Sequence, residues 1–139
     1  LLKLGVTPII NENDVVAIDE IAGAFGDNDS LSAMVSVDAG AGLLILLTDV
    51  DGLYDGDPRN NDGARLIGTV TEITPEITAA AGRTGSRLAV GGMKTKIDAA
   101  RVCMDAGCDL VIANGREDDV IRRIVEGEEL GTLFHGGRE

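Results

Sequence analysis

Aromatic side chains are nearly missing from this chain of 139 residues, which has no Trp, one Tyr (Tyr54) and two Phe (Phe25 and Phe134). The core must therefore be assembled from Val, Ile, Leu, Ala and Met, and no row of aromatic platforms is available for stacking single-stranded nucleic acid. Positive charge is short as well. Twelve Lys and Arg stand against 24 Asp and Glu, for a net charge of −12. That balance disfavours nucleic acid and anionic membrane surfaces as partners. An anionic ligand has to be captured by local donors, against the field of the whole molecule.

Histidine occurs once, at His135 near a Gly-rich end, so Ser-His-Asp and Cys-His nucleophile sets are excluded. Cys103 and Cys108 lack the wider pattern of a disulfide scaffold or a Cys/His metal cluster, and read as small semi-buried residues in a reducing compartment. The longest apolar run, Leu43 to Leu47, is far too short to span a bilayer. No signal-peptide pattern is visible after Leu1-Leu2-Lys3, and a cytoplasmic location is expected.

With 44% apolar and 26% charged residues, the chain has the composition of a single soluble domain with a real core. Thr7 to Ile10, Leu43 to Leu47 and Asp109 to Ala113 are short apolar runs bounded by turn residues, the signature of strands buried on both faces. Leu66 to Val70 is a more polar fourth strand, suited to an edge. Helices alternate with them. Asp29 and Ser30 can cap one that runs to about Ala39, with Leu31, Met34 and Val35 inward. Met93, Ile97, Ala100 and Met104 form one stripe closed by Gly107, and Val120, Ile121, Ile124 and Val125 form another that ends at Gly127. Asp49 to Gly63, with five Asp and three Gly, reads as a turn-rich loop, and Gly82 to Gly92 as a mobile one. The alternation predicts an α/β fold, a mostly parallel sheet sandwiched between helices, with ligands bound beyond the carboxyl ends of the strands.

Four polar segments fall where that rule points. Asn11-Glu12-Asn13-Asp14 follows the first strand, either as a polar ligand site or as an Asx-rich turn. Gly26-Asp27-Asn28-Asp29 opens a helix, whose free N–H groups suit an anion, although a plain N-cap has the same look. Thr48-Asp49 follows the second strand, within a stretch that by itself reads as a solvated loop. Gly91-Gly92-Met93-Lys94-Thr95-Lys96 begins the best helix; paired glycines admit a phosphate and Lys96 adds a mobile charge, against the alternative of a hinge with surface lysines. It is not a Walker motif. One fold would gather all four at one rim, and carboxylates near a lysine and Gly-rich turns suit phosphoryl transfer with Mg²⁺.

The stretches VTPIINENDVVA (6–17), FGDNDSLSA (25–33), LLILLTDVDGLYDGDPR (43–59), GGMKTKIDAA (91–100) and EGEELGTLF (126–134) resemble the amino acid kinase family over essentially the whole chain. INEND and GDND resemble the branch of the family that acts on L-glutamate. The resemblance implies transfer of a phosphoryl group from ATP, with Mg²⁺, to the γ-carboxylate of L-glutamate, within a homo-oligomer. Related kinases of N-acetylglutamate, carbamate, UMP or isopentenyl phosphate are the enzyme alternatives, and a non-catalytic nucleotide- or glutamate-binding fragment is the other. By the same resemblance Asp14, Asn28 and Asn11 bind glutamate. Thr48 and Asp49 contact the nucleotide, as do Val90, Gly91, Gly92, Met93, Lys94, Thr95 and Lys96. Lys96 and Asp29 are implied as catalytic, Lys96 stabilising the transferring phosphoryl group and Asp29 orienting lysines and helping to place Mg²⁺. Lys94 stands where the family carries a small polar residue. The strand, lysine and Gly-Ser turn that open the family's kinase domain do not precede Leu1, so residues 1–139 are expected to match that domain's C-terminal, nucleotide-binding portion, with no second domain.

Overall fold

The structure, a computed structural model, describes residues 2–11, 28–83 and 92–137. Its centre is a parallel pair of strands, β1 (Leu43–Thr48) and β3 (Asp109–Asn114). They lie in register from Leu43↔Asp109 to Thr48↔Asn114. β4 (Thr132–Phe134) runs antiparallel along the other side of β3, and β2 (Thr69–Val70) lies parallel to β4, giving the order β1-β3-β4-β2. The sheet is thus mixed, with two of its three pairings parallel.

Helices cover both faces, as expected from the apolar runs. α1 (Asn28–Asp38) and α3 (Met93–Asp105) pack against each other on one side, with α2 (Pro75–Arg83) beside α3. Their buried residues Ala33, Ala80, Ala81, Met93, Ile97, Ala100 and Cys103 share one core with Leu46, Leu110, Ile112 and Phe134 of the sheet. Opposite, α4 (Val120–Val125) buries Val120 and Ile124 against Val111 and Ala113. Successive residues of β3 therefore face alternate cores, and each is 5% exposed or less from Leu110 to Ala113. The thiols of Cys103 and Cys108 are buried and free. Burial, and then the adjacent Cys108, push the Cys103 thiol up to about 12, which keeps it protonated and unreactive.

Several local expectations change. Residues Thr7 to Ile10 form no strand, and Ile9 and Ile10 are largely exposed, because nothing among the described residues pairs with them. α1 already includes Asn28, so Asp29 and Ser30 lie inside its first turn; Ala33 is its buried residue, while Met34 is exposed. On α4 only Val120 and Ile124 turn inward, and Ile121 and Val125 face out. β2 is confined to the last two residues of the predicted run. The Gly82 to Gly92 segment falls outside the described residues except at its two ends, where Gly82 and Arg83 finish α2. α2 and β4 are additional. Gly131, at φ 77°, lets the chain enter β4 so close to Ile112 that a Cβ there would run into its carbonyl.

The Asp-rich stretch after β1 is largely exposed, as its composition suggests, but it is anchored at one buried point. Leu53 is fully buried and its N–H donates to the Thr132 hydroxyl at 2.8 Å, and Thr132 is itself fully buried. Thr132→Val keeps the shape but leaves that buried N–H without its acceptor. It should lower unfolding free energy by about 1–3 kcal/mol, part of it offset by the added methyl. Urea denaturation checks this, and an unchanged midpoint would mean that the bond contributes nothing.

Candidate active site

α1 and α3 each lead into a strand through a short turn, residues 39–42 before β1 and residues 106–108 before β3. Each helix therefore runs back along its strand, and its N-terminus stands at the end of the sheet where Thr48 and Asn114 lie. Helix N-termini and strand carboxyl ends share one rim for this reason.

At the N-terminal ends of the two helices, Lys96 Nζ donates to Asp29 Oδ2 at 2.9 Å, and the two side chains are only 12% and 13% exposed. The Thr95 hydroxyl lies 2.9 Å from the same oxygen and 2.7 Å from the Gly92 carbonyl, so its one proton is shared between two acceptors. Asp29 also sits in the first turn of α1, where the helix dipole favours a carboxylate. An ion pair this far from water is held to one geometry, and removing one partner strands the other charge at a cost of about 3 kcal/mol. α3 begins at Met93 after an extended Gly92 that makes no side-chain cap. The Thr95 N–H donates to the Gly92 carbonyl at 3.1 Å, and the N–H groups of Met93 and Lys94 come first in the helix, where a ligand or water can be met. Lys94 is exposed, whereas the Met93 side chain belongs to the core, so Met93 has only its backbone to offer a ligand.

Asn11 and Asn28 line one open groove of about 340 Å³ together with Ile10, Leu31, Ser32, Val35 and Ser36. Two residues that the resemblance assigns to the acceptor are thereby brought together, next to the residue that holds Lys96. Asp14, Val90 and Gly91 lie outside the described residues.

Thr48 and Asp49 form a second cluster. The Thr48 hydroxyl approaches Asp49 Oδ1 at 3.3 Å, and the Gly115 N–H donates to the Thr48 carbonyl at 2.8 Å. Asp51 accepts from Asn114 Nδ2 at 2.8 Å and from the Tyr54 hydroxyl at 3.0 Å. No described hydrogen bond or ion pair joins this cluster directly to Lys96. Asn114 was not among the residues singled out from sequence. Its signal was an Asn-Gly pair directly beyond a buried strand, the same kind that drew attention to Thr48 and Asp49. The lone histidine is elsewhere: His135 Nδ1 lies 2.9 Å from an oxygen of Asp109, at the start of β3 and the opposite end of the sheet.

The sequence model of the amino acid kinase family matches residues 1–114. The chain belongs to the amino acid kinase family. Among its relatives, the glutamate 5-kinase of Methanococcoides burtonii is 58% identical over 134 residues, which cover 96% of this chain and 36% of that protein. The glutamate 5-kinase of Clostridium perfringens is 48% identical over 136 residues, 96% of this chain and 51% of that protein. The chain thus spans between about a third and a half of the length of the curated relatives it matches. In fold, this amino acid kinase chain resembles the UMP kinase of Bacillus anthracis, with a TM-score of 0.56 at 21% identity over 79% of this chain and 41% of that one.

Burial first, and then Asp51, raise the Tyr54 hydroxyl above its ordinary 10.0. The neutral phenol is therefore favoured in the fold, and this stabilisation, complete below pH 10, should fade as pH rises through the raised value. Because the chain has one Tyr and no Trp, tyrosinate absorbance reports Tyr54 alone. Its midpoint should lie above 10.0 and fall when Asp51→Asn removes the neighbouring charge. A midpoint that ignores Asp51→Asn would mean that the two groups are not in contact.

Proposed function

We propose that this chain supplies the nucleotide-binding portion and part of the acceptor site of a glutamate 5-kinase, as the C-terminal portion of its kinase domain. The reaction moves the γ-phosphoryl group of ATP to the γ-carboxylate of L-glutamate, giving ADP and L-glutamyl 5-phosphate, the first step of proline biosynthesis. The observation that carries this reading is the Lys96–Asp29 pair, fixed at 2.9 Å beside the groove of Asn11 and Asn28. In a chain of net charge −12, a lysine held between two helix N-termini is a local answer to the charge of a phosphoryl group. Lys96 bears on the transferring group, Asp29 holds its ammonium in place, and Asn11, Asn28 and Asp14 hold the amino acid. Thr48, Asp49 and the run from Val90 to Lys96 hold the nucleotide. The nucleophile is a carboxylate, already ionised at neutral pH, so the chemistry needs no general base and the distance of His135 is no obstacle.

Among the described residues no three carboxylate, imidazole or thiolate groups converge on a point where a metal ion could be held. The residues present nevertheless fit Mg²⁺ as it accompanies ATP, held through one carboxylate, water and the phosphates themselves. Asp29 is the residue that would face it, and the ion would supply neutralisation of phosphate charge. Free, buried cysteines are in keeping with a reducing cytoplasm, and no described helix is long and apolar enough to cross a membrane. Assembly into a homo-oligomer belongs to the same reading, and a native-mass measurement tests it.

The test is a coupled ADP-release assay on the complete kinase carrying these residues. L-glutamate should be turned over, while N-acetylglutamate, carbamate, UMP and isopentenyl phosphate should not; preference for any of these overturns the assignment. Lys96→Ala should reduce kcat by about a hundredfold or more with little change in KM, because its charge is needed mainly in the transition state. An effect confined to the KM for ATP would remove Lys96 from the chemistry. Asp14→Asn should raise the KM for glutamate by about tenfold or more and leave that for ATP alone; steady-state kinetics with each substrate varied decides it.

A further inference from the structure

Asn114 uses both ends of its side chain to join two pieces of the rim. It is the last residue of β3 and the register partner of Thr48, the last residue of β1. Its Nδ2 donates to Asp51 Oδ1 at 2.8 Å, and its Oδ1 accepts the Arg116 N–H at 3.0 Å. The other Asp51 oxygen accepts from the Tyr54 hydroxyl at 3.0 Å. On the near side of the same crossing, Gly115 N–H donates to the Thr48 carbonyl at 2.8 Å. Asp49 and Val50, both exposed, thus span two fixed points, one at Thr48 and one at Asp51. A primary amide suits the place because one group there must both donate to a carboxylate and accept from an N–H. The stretch Asp49 to Gly63 carries five Asp, and a donor from β3 holds one of them, Asp51, at a fixed point.

We infer that Asn114 is a positioning residue for the nucleotide site: acting through Asp51, it sets where Thr48 and Asp49 stand when the nucleotide binds. The inference rests on the assignment of Thr48 and Asp49 to the nucleotide made above. Asn114 touches no reacting atom, and the Asp51 bond reaches only the loop, so its loss should appear in nucleotide affinity and loop order before it appears in the chemical step.

Asn114→Asp tests this by setting a second carboxylate against Asp51. In the full chain, the amides of residues 49–57 should exchange about tenfold faster, and a fluorescent ATP analogue should bind about tenfold more weakly. The paired swap Asn114→Asp with Asp51→Asn rebuilds the bond with donor and acceptor exchanged, leaves the net charge of the chain unchanged and still offers oxygens to Arg116 and Tyr54. It should recover both readouts, which a general loss of stability at either position would not do. Unchanged loop exchange in Asn114→Asp, or faster exchange that the swap fails to reverse, overturns the inference. Thr48→Val, read in parallel, separates the two readings. If it weakens the analogue and Asn114→Asp does not, the positioning role fails and the nucleotide site stands; if neither weakens it, the nucleotide assignment has failed and takes the positioning role with it.

Discussion

The parallel pairing of β1 with β3 is the constraint from which the rest of the molecule follows. A parallel pair cannot be closed by a tight turn, so the chain between these strands must cross over the sheet. Everything from Asp49 to Cys108 belongs to that crossover, including β2 at the far edge and helices α2 and α3. β3, inserted between β1 and β4, is buried on both faces, which is why it reads as an unbroken apolar run. The register of the pair then sets Thr48 beside Asn114. Because each of α1 and α3 runs back along the strand it precedes, their N-terminal ends stand at the rim those two residues define.

Two kinds of contact specialise that rim. One is charged: Lys96 and Asp29, 67 residues apart in sequence, meet at 2.9 Å because α1 packs on α3. The pair joins the first turns of two helices, where the helix dipole is positive, on a strongly acidic protein. The other is a set of hydrogen bonds: Asn114 donates to the Asp51 carboxylate and the Leu53 N–H donates to Thr132, which fastens the Asp-rich stretch to β3 and β4. These bonds pin two points of a loop that is otherwise solvated, as its composition suggests. The fold likeness to a UMP kinase shows that a similar arrangement of sheet and helices occurs in a protein of low sequence similarity.

The amino-acid sequence by itself determined the α/β class, the central strands and the helix that begins with Met93, because burial on two faces and helical spacing leave periodic apolar patterns. It also determined a net charge of −12, and it marked Lys96, Asp29, Thr48 and Asp49 by their neighbours in the chain. Short elements left no such mark. β4 is three residues long, and its position depends on Gly131 passing against Ile112. Thr7 to Ile10 has the composition of a strand, but a strand exists only through a partner, and none of the described residues provides one. Only the tertiary structure decided that Asp29 meets Lys96, that Asn11 and Asn28 share a groove, that Ile121 and Val125 face outward, and that Asn114 holds Asp51. Each is a contact between residues distant in sequence or a choice between two faces of one helix. Such outcomes are fixed by which elements pack together, and local pattern does not encode that.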